Sequence, residues 1–199
     1  MQIKDSLTLA RRITGLILCA AVLGGCAAGN TYDYRSALLG LPLAGSADVE
    51  VEVVDKRPYV LNGDKTPSFV GLQRGGYGNP FDVKTTSGEP LAADMEVALS
   101  SILTEKGYNV VDSSGQRRLQ IVLNEWKSDV MLRLRVIYDI AVNIFDAEGE
   151  LLASNAIDGE AVTGGGYQGA NSANAASTFE VKITELLRDE QVQDAMLSE

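Results

Sequence analysis

Hydrophobic and polar positions change period several times along this chain, and each change predicts an element. From Asp48 the pattern has period two, with Val49, Val51 and Val53 on one face and Glu50 and Glu52 on the other. That alternation predicts a half-buried strand, closed at Asp55-Lys56-Arg57-Pro58, where proline cannot donate to a ladder. From Pro58 to about Gly88 no period is sustained, and Gly63, Pro67, Gly71, Gly75, Gly76, Gly78 and Pro80 predict a long irregular loop. Period 3.6 then sets in. Leu91, Met95, Ala98, Leu99, Ile102 and Leu103 share one face of a helix over Pro90 to Lys106, stopped by Gly107.

A short strand is expected at Tyr108 to Val111, and another from Leu119 towards Trp126, with Lys127-Ser128-Asp129 as a polar break. The longest strand follows: Leu132, Leu134, Val136, Tyr138, Ile140, Val142 and Ile144 alternate with polar Arg133, Arg135, Asp139 and Asn143. Asp146-Ala147-Glu148-Gly149 predicts a hairpin turn, with a return strand over about Glu150 to Thr163. After a glycine-rich loop, Ala176, Phe179, Ile183, Leu186 and Leu187 form the stripe of a second long helix, capped by Asn171 or Ser172. A short helical tail runs through Met196. Two amphipathic helices separated by a meander predict an α+β domain, with both helices packed on one face of an antiparallel or mixed sheet.

The beginning of the chain obeys a different logic. Arg11-Arg12, the apolar run Ile13 to Val22, and then Leu23-Gly24-Gly25-Cys26 follow the order of a secretory signal. A membrane-spanning helix is disfavoured, because the uncharged run is broken by Gly15, Gly24, Gly25 and Gly29 and falls short of the ~20 apolar residues a span needs. Residues flanking Arg11-Arg12 match the twin-arginine export motif poorly. Ending on cysteine, the segment resembles the lipobox of bacterial lipoproteins, in which that cysteine receives a diacylglycerol thioether, becomes the first residue after cleavage and is then N-acylated. The resemblance implies a signal peptide over 1–25, lipidation at Cys26, a tether over 26–46 and a single domain over 47–199. Tyr32, Tyr34 and the Leu38 to Leu41 cluster are too apolar for a pure spacer, so part of the tether is expected to pack on the domain or the membrane.

Composition narrows the chemistry. The 199 residues carry a net charge of −10, and loss of Lys4, Asp5, Arg11 and Arg12 with the signal makes the remainder two charges more negative. Such a balance disfavours nucleic acid as a partner. Of two cysteines, Cys19 lies in the signal and Cys26 is the acylation site, so the domain would contain no disulfide. There is no histidine, which removes Ser-His-Asp and Cys-His catalysis and histidine-dependent zinc sites.

The remaining candidates are weak as catalysts. Gly164 to Gly169 precedes a helix but lacks the Gly-Lys-Ser/Thr ending of a phosphate loop. Asp139, Asp146, Glu148, Glu150, Asp158 and Glu160 have the spacing of a sheet's solvent face rather than of an acid/base pair. Arg133 and Arg135 would pair across strands with Asp139, Asp158 or Glu160, and Trp126 is expected in the core. No catalytic residue, metal ligand or cofactor is expected. The candidate binding loop is Arg57 to Phe81, where Arg57, Tyr59, Phe69, Tyr77 and Phe81 stand among glycines and prolines.

The helix ending Glu105-Lys106-Gly107-Tyr108-Asn109-Val110, the strand Leu119-Gln120-Ile121-Val122-Leu123, the long strand after Val130 and the glycine-rich loop into Asn174-Ala175-Ala176 together resemble the YajG family of envelope lipoproteins. The resemblance covers about Val49 to the C-terminus and includes the lipobox, whereas the loop from Gly71 to Asn79 is longer than the family pattern. It implies location and architecture but no reaction. Ala27-Ala28 lacks the Asp that resembles an inner-membrane retention signal, which implies the outer membrane, with the domain in the periplasm. Two roles are expected from these readings. One is a non-enzymatic adaptor that contacts an envelope partner through a sheet edge or the Arg57 to Phe81 loop. The other is a small-ligand binder for a lipid, glycan or peptide fragment, with its pocket between helices and sheet.

Overall fold

A computed structural model of the chain describes residues 30–37, 40, 44–74, 79–131, 133–163 and 172–197. Cys26, Tyr77, the Gly164 to Gly169 loop and the predicted cap at Asn171 lie outside them.

The fold is α+β, a large mixed sheet with its long helices on one face. In chain order the elements begin with β1 (Thr31–Tyr32), β2 (Asp48–Asp55), a single-turn helix α1 (Pro58–Leu61), β3 (Phe69–Arg74) and β4 (Pro80–Thr85). The long helix α2 (Leu91–Glu105) precedes β5 (Asn109–Val111), β6 (Arg117–Val130), β7 (Leu134–Asp146) and β8 (Leu151–Thr163). Helices α3 (Ser172–Leu187) and α4 (Glu190–Leu197) close the chain.

Strand β6 is the axis. On one side it pairs along its length with β7, which in turn pairs with β8, all antiparallel. On its other side two strands share it: β2 lies parallel to Arg117–Leu123, and β3 lies parallel to Ser128–Val130. The sheet therefore forks, one arm continuing to β5 through β2 and the other to β4 and β1 through β3.

Two expectations are corrected here. Lys127-Ser128-Asp129 does not break the strand, because β6 runs through it and pairs Ser128 with Val136 and Asp129 with Arg135. The loop expected over Pro58 to Gly88 contains α1, β3 and β4. Its glycines and prolines punctuate short elements instead of dissolving them. Gly71 shows why the sequence misleads: a Cβ there would collide with Ser128 Oγ and the Ser128 carbonyl, so glycine is what lets β3 approach β6.

The apolar alternation of β6 and β7 puts Leu119, Ile121, Leu123, Trp126, Leu134, Val136, Ile140, Val142 and Ile144 into one core. Covering it are Leu91, Met95, Leu99 and Leu103 of α2 and Phe179, Ile183, Leu186 and Leu187 of α3. Gly107, at φ 97°, ends α2 as the pattern predicts, and Tyr108 N–H donates back to the Leu103 carbonyl. The N-terminal segment also enters the core. Tyr34 is wholly buried, accepts a hydrogen bond from Trp126 Nε1 at 3.0 Å, and forms a triangle of edge-to-face rings with Trp126 and Phe179 at 5.9 to 6.1 Å. Arg35 pairs with the buried Asp94 of α2 at 2.6 Å.

Candidate functional site

Arg57, the leading residue of the candidate loop, is completely enclosed. Its guanidinium meets both oxygens of Asp55, at 2.8 and 2.7 Å, and donates to the carbonyls of Phe69, Pro67 and Trp126. Five donors in a fixed fork can serve β2, β3 and β6 at once. The residue thus pins the fork of the sheet together.

Tyr59 stands against it, with Arg57 Cζ 5.6 Å from the ring centre, and its hydroxyl donates to Glu125 Oε1 at 2.7 Å. Burial and then the Glu125 hydrogen bond push this phenol well above its ordinary pKa. Phe69 is buried and meets Tyr59 edge to face at 5.5 Å. The structure therefore brings Arg57, Tyr59 and Phe69 into one cluster, while Phe81 stands exposed farther along β4, opposite Gln73.

The sheet edges differ in how they are finished. At the β1 and β4 end, Thr31 and Tyr32 pair with Lys84 and Thr85 and cover β4. At the β2 and β5 end, β5 covers only Asp48 to Glu50. Farther along β2, Glu96 Oε1 reaches from α2 to take the Val53 N–H at 2.8 Å, so a side chain substitutes for the missing strand.

Strand β8 is finished differently. It is 13 residues long, pairs with β7, and has no strand on its other side among the described residues. Ala156 N–H is taken by Asn155 Oδ1 at 2.8 Å. By the two-residue alternation of strands, the outward amides from Ser154 to Val162, beyond the bulge at Leu152, are those of the even-numbered residues. Ser154, Ala156, Asp158, Glu160 and Val162 also turn exposed side chains to the face away from the helices. Leu151, Leu152 and Val162 are 55%, 43% and 51% exposed. The strand contains neither lysine nor proline, two residues that commonly protect edges.

Beside this edge is a cleft of about 590 Å³ lined by Arg74, Asp129, Met131, Arg133, Arg135 and Val162. Two of its arginines already face carboxylates: Arg74 grips Asp129 through two bonds of 3.0 and 2.8 Å, and Arg135 meets Glu160 at 3.0 Å. The Arg74 hydrogen bonds hold the Asp129 carboxyl below its usual pKa. Other surface clefts lie between α2 and β5, about 610 Å³, and beside Tyr108 and α4, about 690 Å³. Among the described residues, the side chains between helices and sheet form one buried cluster. Sequence reading missed the open edge, although a long run of alternating small residues with only two charges, Asp158 and Glu160, carried the signal.

No family model and no curated protein matches the sequence. Among solved structures, protein XCC0632 from Xanthomonas campestris, of the DUF330 family, is similar over 84% of this chain and 91% of its own, with a TM-score of 0.50 and 11% identity. The PelC L103M dodecamer from Paraburkholderia phytofirmans matches over 81% and 95%, with a TM-score of 0.40 and 13% identity. Lipoprotein GNA1162 from Neisseria meningitidis matches over 72% and 99%, with a TM-score of 0.30 and 14% identity. At these identities the likeness to XCC0632 is one of fold.

Proposed function

We propose that this chain is a lipid-anchored, non-enzymatic adaptor of the bacterial envelope, of the YajG kind, held through Cys26 to the outer membrane with its body in the periplasm. The observation that carries the reading is Leu23-Gly24-Gly25-Cys26 after a charged and then apolar segment. Three acyl chains exceed the two signals that stable anchoring needs.

The position of β1 gives this anchor a geometric consequence. Thr31 is already paired in the sheet, so five residue steps separate the lipidated cysteine from the folded body. At full extension they span about 18 Å. The edge formed by β1 and β4 would be held near the bilayer. The open edge of β8 lies five strands away across β4, β3, β6 and β7, roughly 24 Å at ordinary strand spacing. An adaptor needs this separation of anchor and contact surface, and strand addition at an open edge is a common way for such a domain to bind.

Fractionation of the parent and of Cys26→Ser tests the anchor. The parent is expected with the membranes and is released by detergent but not by high salt. The variant is expected to leave the membrane while retaining the parent's folded stability. A parent found wholly in the aqueous fraction would end the proposal.

A further inference from the structure

We infer that the outer edge of β8 is the docking site for β8 of a second copy of this chain, in an antiparallel register centred on Ile157. This inference rests on the adaptor reading and names the occupant of its open edge.

In a two-fold antiparallel pair, facing residues share both a face and an amide direction, so the centre of symmetry must fall on a residue. Centring on Asp158 would set that carboxylate against its own copy, and centring on Gly159 would set Asp158 against Glu160. Like charges directly opposite destabilise a pair. Centring on Ile157 avoids both clashes and engages the whole strand, since Ile157 is the midpoint of Leu151–Thr163. Asp158 then faces Ala156, and Glu160 faces Ser154. The two ends add apolar contact: exposed Leu152 of one copy meets exposed Val162 of the other. The strand is thus complementary to itself in its longest uncharged register.

Two features regulate the contact. The Asn155 side chain must release the Ala156 N–H before that amide can pair. The acidic residues of the two copies remain diagonal neighbours, so added salt is expected to tighten the pair. Pairing would also double the sheet, with a β1 tether leaving each far end. Both anchors reach one bilayer when the doubled sheet lies along the membrane.

Cysteine cross-linking in membranes of cells producing the full chain tests the register. Ala156→Cys and Asp158→Cys are made singly and co-produced. Facing residues of a hydrogen-bonded pair lie about 5.5 Å apart at Cα, within the range a disulfide spans. The expected result is a cross-linked dimer from the co-produced pair and at least a tenfold lower yield from either variant alone. Asp158→Pro removes an outward donor without touching the β7 ladder. Added to both chains of a co-produced Ser154→Cys and Glu160→Cys pair, which the same register sets face to face, it should abolish their cross-link while thermal unfolding stays unchanged. A dimer from Ala156→Cys alone, cross-links only to another protein, or no cross-link in any combination would overturn the inference. The parent chain reports on the underlying reading separately. A parent that forms dimers through an unacylated Cys26 thiol, or fails to sediment with membranes, contradicts the adaptor proposal itself.

Discussion

Arg57 illustrates how much one side chain can decide in this domain. It is buried without exposure, yet every direction of its guanidinium meets an acceptor, from the Asp55 carboxylate to three backbone carbonyls on β3, β6 and the turn between α1 and β3. Arg57→Ala is expected to cost about 3–5 kcal/mol in urea unfolding, because it strands a partly buried carboxylate and leaves carbonyls unpaired. Arg57→Lys should recover part of that loss, since one ammonium cannot reproduce the fork. A variant as stable as the parent would show that the pin contributes nothing. Tyr34 sets a limit at the other end of the pH scale. Burial raises its phenol above the ordinary value, so the folded state keeps a proton that the unfolded chain gives up. Its contribution is complete below the unfolded pKa of about 10 and is lost as pH rises from there towards the folded value. Stability of the parent should therefore fall in alkali above about pH 10, and Tyr34→Phe should flatten that fall while losing ~1–3 kcal/mol at neutral pH from the orphaned Trp126 N–H. Denaturation midpoints measured from neutral to strongly alkaline pH check both. Residue types at this cluster were visible in the sequence, but burial was not: arginine and tyrosine among glycines and prolines have the same composition in a binding loop and in a structural knot.

At the scale of elements, legibility follows periodicity. Strands β2, β7 and β8 and helices α2 and α3 stand close to where alternation and 3.6-residue spacing place them, because each buries one face on a common core and the pattern records that burial. Two elements were hidden for opposite reasons. Strand β6 passes through Lys127, Ser128 and Asp129 because Ser128 satisfies its hydroxyl on the Val70 carbonyl and Asp129 meets Arg74. Local polarity is thus overridden by partners far away in sequence. Strands β3 and β4 are short, β4 begins on a proline, and Gly71 of β3 is present for close approach rather than for a turn. Edge treatment was equally invisible. Glu96 reads as a charge near a helix start, and only its bond to Val53 N–H reveals that it seals the rim of β2. The contrast between that sealed rim and unsealed β8 could not be drawn before the strand order was known.

For the whole molecule, the sheet has a direction. Its chain enters at β1, where Tyr34 and Arg35 lock the first described residues onto the core and onto α2, and its open edge lies at β8. The proposed lipid at Cys26 turns this direction into an orientation, because so short a connection leaves the β1 edge little freedom to leave the bilayer. Role and orientation both depend on that modification. Mass spectrometry of the N-terminal peptide of the protein recovered from membranes measures it most directly. The account predicts a peptide that begins at Cys26 and carries the added mass of a diacylglyceryl thioether and an amide-linked acyl chain. A peptide that retains residues before Cys26, or begins there with an unmodified thiol, would contradict it.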